Sequence, residues 1–421
     1  MNWKNLTIRP LPAYFVLPIA YSIAVLVFLI KFTPHVLNPS NFDWLMSYAD
    51  MPTEYVSWLF YRATPWTFPV VGTLSGYDFP TVTGVGLTGA VPLLAIPMKI
   101  FTHGQNVDFQ YFGWWFLLCY IMQAHFSVRL LKSISTNNQF PITNIQLILG
   151  AIFFIVSPAL LTRTGHMNLC GQWLILWAFC GYFERRRMRQ KFYFFLKIIA
   201  VTALIHQYLL LMMLGISFAA FWKAEKMGRF SWLKKLRFSV INLAVAAVIW
   251  YFVGNFNNSP DAMTQIGFGK FSANLNTFFN GQNEQRLLPT LPFNDGQYEG
   301  FGYLGAGVLL AAVVVVFLIF FKKENRQFQF SPLAFVACFF AVFAFSHIWT
   351  FGHTKLFEAK FLYENVGIIN YLAQAFRASG RFIWVLHYWL LTQIVFSLLK
   401  INLSKPLKVS VLSLEIGRAH V

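Results

Sequence analysis

Apolar residues along this chain gather into long runs separated by polar stretches rich in glycine and proline. A membrane-spanning helix needs about 20 mostly apolar residues. The first candidate, Ala13 to Ile30, follows Lys4 and Arg9. No small-residue cleavage site comes after it, so it reads as a retained helix and not as a removable signal peptide. Further candidates lie near 111–128, 143–160, 168–183, 193–206, 207–222, 238–253, 303–321, 332–350 and 383–399. One more apolar stretch, 84–102, is short and contains Pro92, Pro97 and Lys99. The pattern predicts an all-α integral membrane protein with about ten transmembrane helices.

Charge fixes the expected orientation. If 84–102 does not cross, the basic clusters fall on one side: Arg129 and Lys132, Arg185 to Arg187, Lys223 to Arg237, Lys322 to Arg326, and Lys400 to Lys408. Lysine and arginine mark the cytoplasmic side. The N-terminus is then cytoplasmic, and 84–102 is a partly embedded or interfacial element of the first outer loop. Asp43, Asp50, Glu54, Asp78 and Asp108 fall in that loop. Two more outer loops lie near 254–302 and 351–382, giving large extracytoplasmic connections rich in Gly, Pro, Asn and aromatic residues. Loops of this length in a compact fold are usually functional.

Composition agrees. Hydrophobic residues make up 57% of the 421 and charged ones 11%, against about 25% charged in soluble domains. The net charge of +18 follows from the cytoplasmic lysines and arginines and does not indicate a nucleic-acid partner. The four cysteines sit in apolar runs with no C-x-x-C pair, and read as free, buried thiols.

Four stretches carry candidate chemistry. In the first outer loop, aromatic residues including Trp66 alternate with Asp50, Glu54 and Arg62. Asp50 precedes Met51-Pro52 at the expected start of a short interfacial helix over 53–61, where it suits an N-cap. An acid held at the membrane edge also suits a general base. The second stretch, SPALLTRTGHMN (157–168), sets Arg163 three residues before His166; arginine there fits a bidentate phosphate contact or an anchor for lipid headgroups. The third, GQYEGFGYLG (296–305), places Glu299 beside Tyr298, an arrangement that suits carbohydrate or a tight structural turn. The fourth, FRASGRFIW (376–384), puts Arg377 and Arg381 four apart, on one face if helical, for a phosphate partner or for carbonyls at a helix start.

Together with VPLLAIPMKIF, FQYFGWWFLL and NLNTFFN, these blocks span about residues 43 to 384. In this order they resemble a family of uncharacterised bacterial membrane proteins related to the GT-C glycosyltransferases. The resemblance implies a GT-C-like domain over 1–410 in the bacterial inner membrane. It implies transfer of a sugar from a polyprenyl-phosphate donor in the bilayer to a glycan, lipid or protein acceptor. An acid of the first outer loop would activate the acceptor for attack with inversion: Asp50 by position, Glu54 as second choice. Arg377, Arg381 and Arg163 would hold the donor phosphate, and Arg62, Trp66, His166, Tyr298 and Glu299 would line the substrate site. Some such enzymes use a divalent metal, but no clear oxygen-ligand cluster appears in this sequence. The chain departs from relatives in having Thr88-Gly89-Ala90-Val91 before Pro92, where an Asp is common. Residues 411–421 read as a non-native tail on a truncated chain. A flippase or transporter of lipid-linked glycans, or a non-catalytic membrane assembly factor, are the alternative readings.

Overall fold

The structure, a computed structural model, describes residues 11–46, 50–102, 108–224, 231–257, 267–284, 288–321 and 331–400. The basic residues Lys226, Arg229, Lys322, Lys323, Arg326, Lys405 and Lys408, and the 411–421 tail, lie outside the described residues.

The described chain is mostly helical. Its helices are α1 (Val16–Phe32), α2 (Asp43–Met46), α3 (Met51–Ala63), α4 (Pro92–Phe101), α5 (Phe112–Asn137), α6 (Asn144–Ile155), α7 (Pro158–Leu161) and α8 (Trp173–Phe183). They continue with α9 (Met188–Ala203), α10 (Gln207–Lys223), α11 (Ser231–Phe252), α12 (Ala306–Phe321), α13 (Pro332–Phe345), α14 (Lys360–Asn365), α15 (Gly367–Ala375) and α16 (Ile383–Lys400). Two small antiparallel hairpins interrupt the pattern, β1 (Thr73–Leu74) with β2 (Thr83–Gly84), and β3 (Ile348–Phe351) with β4 (Thr354–Glu358).

The expected count of about ten full crossings is corrected. Among the described residues, three helical segments are long and apolar enough to cross a membrane: Ala13–Phe32, Ser231–Phe252 and Ser379–Lys400. The runs near 143–160, 207–222, 303–321 and 332–350 contain apolar helices of 10–17 residues, which at about 1.5 Å per residue fall short of a roughly 30 Å hydrocarbon core; the 111–128 run lies in the longer α5, of 26 residues. The breaks have local causes. The 143–160 run divides at Ser157-Pro158, where proline starts a new turn after α6. The 332–350 run stops at Ser346, whose φ of 62° ends α13, and the chain enters β3. The helix expected over 53–61 is present as α3, and 84–102 holds the end of β2, a 3₁₀ turn at Val85–Leu87 and the short α4.

Helix α5 is the hub, packing on α1, α6 and α8; α10 links α8, α9 and α13, and α16 packs on α13 and α12. Polar side chains at depth stitch these helices together. Gln123 donates to the Phe154 carbonyl and to Tyr388 Oη, and Ser157 Oγ lies 3.0 Å from His387 Nε2. Outward faces are apolar. In α11 only Asn242 and Ala246 are buried, while Leu236, Val240, Leu243 and Val248 are exposed. Such rows of exposed apolar residues suit lipid, not water. Cys119, Cys170 and Cys180 are buried free thiols; Cys338, expected to be buried, is exposed on α13, where it shares the outward side with Phe335 and Phe339.

Candidate functional site

The site forms at the end of the bundle where α5 begins. Helix α3 supplies Glu54 in its first turn. Glu54 is buried, and its Oε2 accepts the Met167 backbone N–H at 2.8 Å. Gly89 lies directly against this carboxyl group: a Cβ there would come within 2.2 Å of Glu54 Cδ. The Thr88-Gly89-Ala90-Val91 stretch thus has no acid of its own and makes room for one from another element. Burial raises the Glu54 pKa, overcoming the opposing hydrogen bonds from His166 and Met167.

His166 stands between three acids. Its Nδ1 lies 3.3 Å from Asp50 Oδ2 and 3.7 Å from Glu54 Oε1, and its Nε2 lies 3.4 Å from Glu299 Oε1. Burial favours the neutral ring, but hydrogen bonds with Glu299 and Glu54 outweigh it and raise the His166 pKa. Asp50 occupies the N-cap position of α3 but its side chain makes no capping hydrogen bond. Capping is therefore corrected: the carboxylate turns to His166 and keeps 62% of its surface exposed.

Glu299 anchors the other half. Arg381 grips it in bidentate fashion, Nε to Oε2 and Nη2 to Oε1, each at 2.9 Å. Arg163 adds a bond from Nη1 to Oε2 at 3.0 Å, and its Nη2 donates to the Tyr298 and Glu299 carbonyls. Burial alone would raise the Glu299 pKa; the Arg381 and Arg163 guanidinium groups reverse this and hold it well below the usual carboxylate range. Backbone contact makes the convergence possible. A Cβ on Gly380 would meet Gly300 Cα at 2.7 Å, so FRASGRF and GQYEGFG pack main chain to main chain. Trp384 and His387 then bond the Phe301 and Gly302 carbonyls.

A cavity of about 780 Å³ opens on this cluster. Asp50, Glu54, His166, Glu299, Arg377 and Arg381 line its polar end, and Leu210, Leu211, Leu214 and Leu243 line the rest with Trp250 and Phe256. Tyr298 borders it and is half exposed. Arg377 is exposed, with its guanidinium 5.8 Å from the Phe271 ring centroid.

Several expectations are corrected. Arg377 and Arg381 do not share an α-helical face; residues 377–378 are irregular and 379–382 form a 3₁₀ turn. Both nevertheless reach the cavity. Arg163, expected to hold phosphate, has a side chain only 7% exposed. It is committed to Glu299 and two carbonyls, so it positions the site from behind. Arg62 and Trp66 are not in the cavity wall: Arg62 pairs with Asp108 at 3.4 Å, and Trp66 packs on Tyr61 and the Lys99 ammonium. The spacing of aromatic and charged residues singled them out, but in α3 and the following turn they face a different side.

The sequence pattern singled out neither Tyr208 nor His206 for the site. Tyr208 Oη accepts the Ala378 N–H at 3.0 Å, and Arg381 stacks over its ring at 4.9 Å. His206 lines the cavity and caps α10 by accepting the Tyr208 N–H. The His-Gln-Tyr run at a helix start was the available signal. The residues do not fit a divalent metal. Glu299 is taken by guanidinium groups, His166 by its flanking acids, and no group of three His, Cys, Asp or Glu among the described residues is placed to hold one.

Fold and site together define a mostly helical protein with, among the described residues, three segments of membrane-crossing length and a largely buried carboxylate–imidazole–guanidinium cluster at one end of the bundle. The chain belongs to the DUF6311 family, a domain of unknown function, which matches residues 21–415. No curated protein and no solved structure matches it.

Proposed function

We propose that this protein is a GT-C type membrane glycosyltransferase moving a sugar from a polyprenyl-phosphate donor to an envelope acceptor, with Asp50 as general base. The working setting is a bacterial inner membrane, N-terminus inside and the Asp50 end outward. The shorter apolar helices lie in the bilayer around the three long ones.

One observation carries the reading: a single cavity joins an acid–imidazole–arginine end to a leucine-lined end. That division suits an amphiphile with an anionic head and a hydrocarbon tail. A conduit for a glycan would need polar lining along its length, and an assembly factor would need no cavity at Asp50.

In this mechanism the acceptor hydroxyl sits against the exposed Asp50 carboxylate, which His166 orients. As the acceptor oxygen attacks the anomeric carbon, its proton passes to Asp50. The bond from that carbon to the phosphate oxygen breaks, and its electron pair stays on the departing polyprenyl phosphate. Arg377, which has no carboxylate partner among the described residues, receives most of that charge, with Arg381 behind it. Glu54 is buried and bonded, so its part is to hold His166.

The test is transfer by the purified full-length protein from a set of polyprenyl-phosphate sugars. Asp50→Asn is expected to lower the rate by about 10²–10⁴ without changing stability. Turnover equal to wild type in that variant rejects the assignment.

A further inference from the structure

We infer that the opposite end of the bundle carries a second site, which binds a phosphate-bearing anion. A cavity of about 570 Å³ lies there, between the C-terminal third of α5 and the turn joining α8 to α9. This volume falls in the range of small-ligand pockets. Arg129, Lys132, Arg185 and Arg186 line it, against one acid, Glu184.

The cations are arranged, not merely crowded. Glu184 receives Arg129 Nε at 2.8 Å and Arg186 Nε at 2.7 Å. Arg185 donates from Nε and Nη2 to Asn137. The ring of Phe194 lies under both Arg186 and Arg129. These contacts fix three guanidinium groups, yet each keeps Nη1 out of any hydrogen bond among the described residues. Lys132 is exposed at the rim. Fixed guanidinium donors facing a pocket match the several acceptor oxygens of phosphate. One glutamate neutralises only a fraction of the four cations, so an anion completes the charge balance. Gln190, in the first turn of α9, adds a polar group beside the positive end of a helix. Basic pockets between membrane helices take anionic lipid headgroups, and a soluble phosphate offers the same chemistry.

The test uses the full chain in a neutral detergent. Binding is measured for short-chain phosphatidic acid, short-chain phosphatidylcholine and inorganic pyrophosphate, in wild type, Lys132→Gln/Arg185→Gln and Arg185→Lys. Both double-variant positions lie outside the Glu184 ion pairs, so the fold is expected to survive, and thermal unfolding checks this. Phosphatidic acid is expected to bind wild type at least tenfold tighter than phosphatidylcholine. The double variant should lose about tenfold or more, and Arg185→Lys, which keeps the charge but not the fork of donors, should bind between wild type and the double variant. Competition by pyrophosphate assigns the site to soluble phosphates, and retention only of the lipid assigns it to a headgroup. Equal affinity for the anionic and zwitterionic lipids, or a folded double variant that binds like wild type, overturns the inference.

Discussion

Two glutamates in this protein each hold two arginines, and they do so in opposite ways. Glu299 joins Arg163 and Arg381, residues far apart in sequence, with side chains 6%, 7% and 12% exposed. Glu184 joins Arg129 to its near neighbour Arg186, with side chains 18%, 34% and 30% exposed. Burial works against the charge of both acids and the arginines overcome it in both. The first cluster closes the bundle by tying three loops together and borders a cavity with two further acids. The second organises an open, net positive surface. The same pair chemistry therefore serves tertiary closure where water is excluded and local preorganisation where it is not.

The largest expected effect comes from removing the buried acid. Glu299→Gln leaves Arg163 buried without its counter-charge, and breaking such a pair costs about 3–5 kcal/mol. Thermal unfolding in detergent should show a large loss of stability. A variant as stable as wild type would mean that Arg163 and Arg381 find other partners, and the contrast with Glu184 would fall.

Next comes Gly89→Ala. The added methyl group collides with the Glu54 carboxyl group, and overpacking of this kind costs about 1–3 kcal/mol. If unfolding shows no loss, the Glu54 side chain has room to move and the acid cluster is looser than its contacts indicate.

The comparison also shows what was legible in the sequence. Glu184 and Arg186 are neighbours, so their pairing was open to local reading. Asp50, Glu54, Arg163, His166, Glu299 and Arg381 could each be singled out from composition and setting, but their meeting depends on Gly300 against Gly380 and on Gly89 against Glu54. Those are contacts between distant segments, and no period or spacing encodes them. Arg62 and Trp66 show the converse: the right residue types in the right loop, turned to Asp108 and Lys99. Helix existence followed apolar runs well. Helix length did not, because Ser157-Pro158 and Ser346 cut runs that hydropathy alone reads as continuous, and the β3–β4 hairpin began inside one of them.

His166 tests the site by pH. Its pKa is raised in the fold, so its stabilising contribution is complete below the unfolded value near 6.5 and is lost as pH rises through the folded value. Glu299 acts in reverse. Its contribution is present above the unfolded carboxyl pKa and is lost only as pH falls through its depressed value. Stability should therefore decline from about neutral pH upward, and His166→Gln should flatten that limb while leaving the acid limb. The substitution itself should cost about 1 kcal/mol. An unchanged alkaline limb in unfolding measurements would show that His166 is not shared between the acids.

The smallest effect belongs to Glu184→Gln. Its ion pairs are partly exposed, and pairs of that kind contribute about 0–1 kcal/mol, so unfolding should barely move. The change nevertheless removes the one negative charge from the wall of the basic cavity and leaves Arg129 and Arg186 tethered by the neutral amide and Phe194. Binding of short-chain phosphatidic acid should tighten, and its dependence on salt should steepen, because more positive charge is left for the anion to neutralise. Weaker binding would mean that Glu184 orders the arginines more than it competes for them. The two glutamates would then differ in burial alone and not in role.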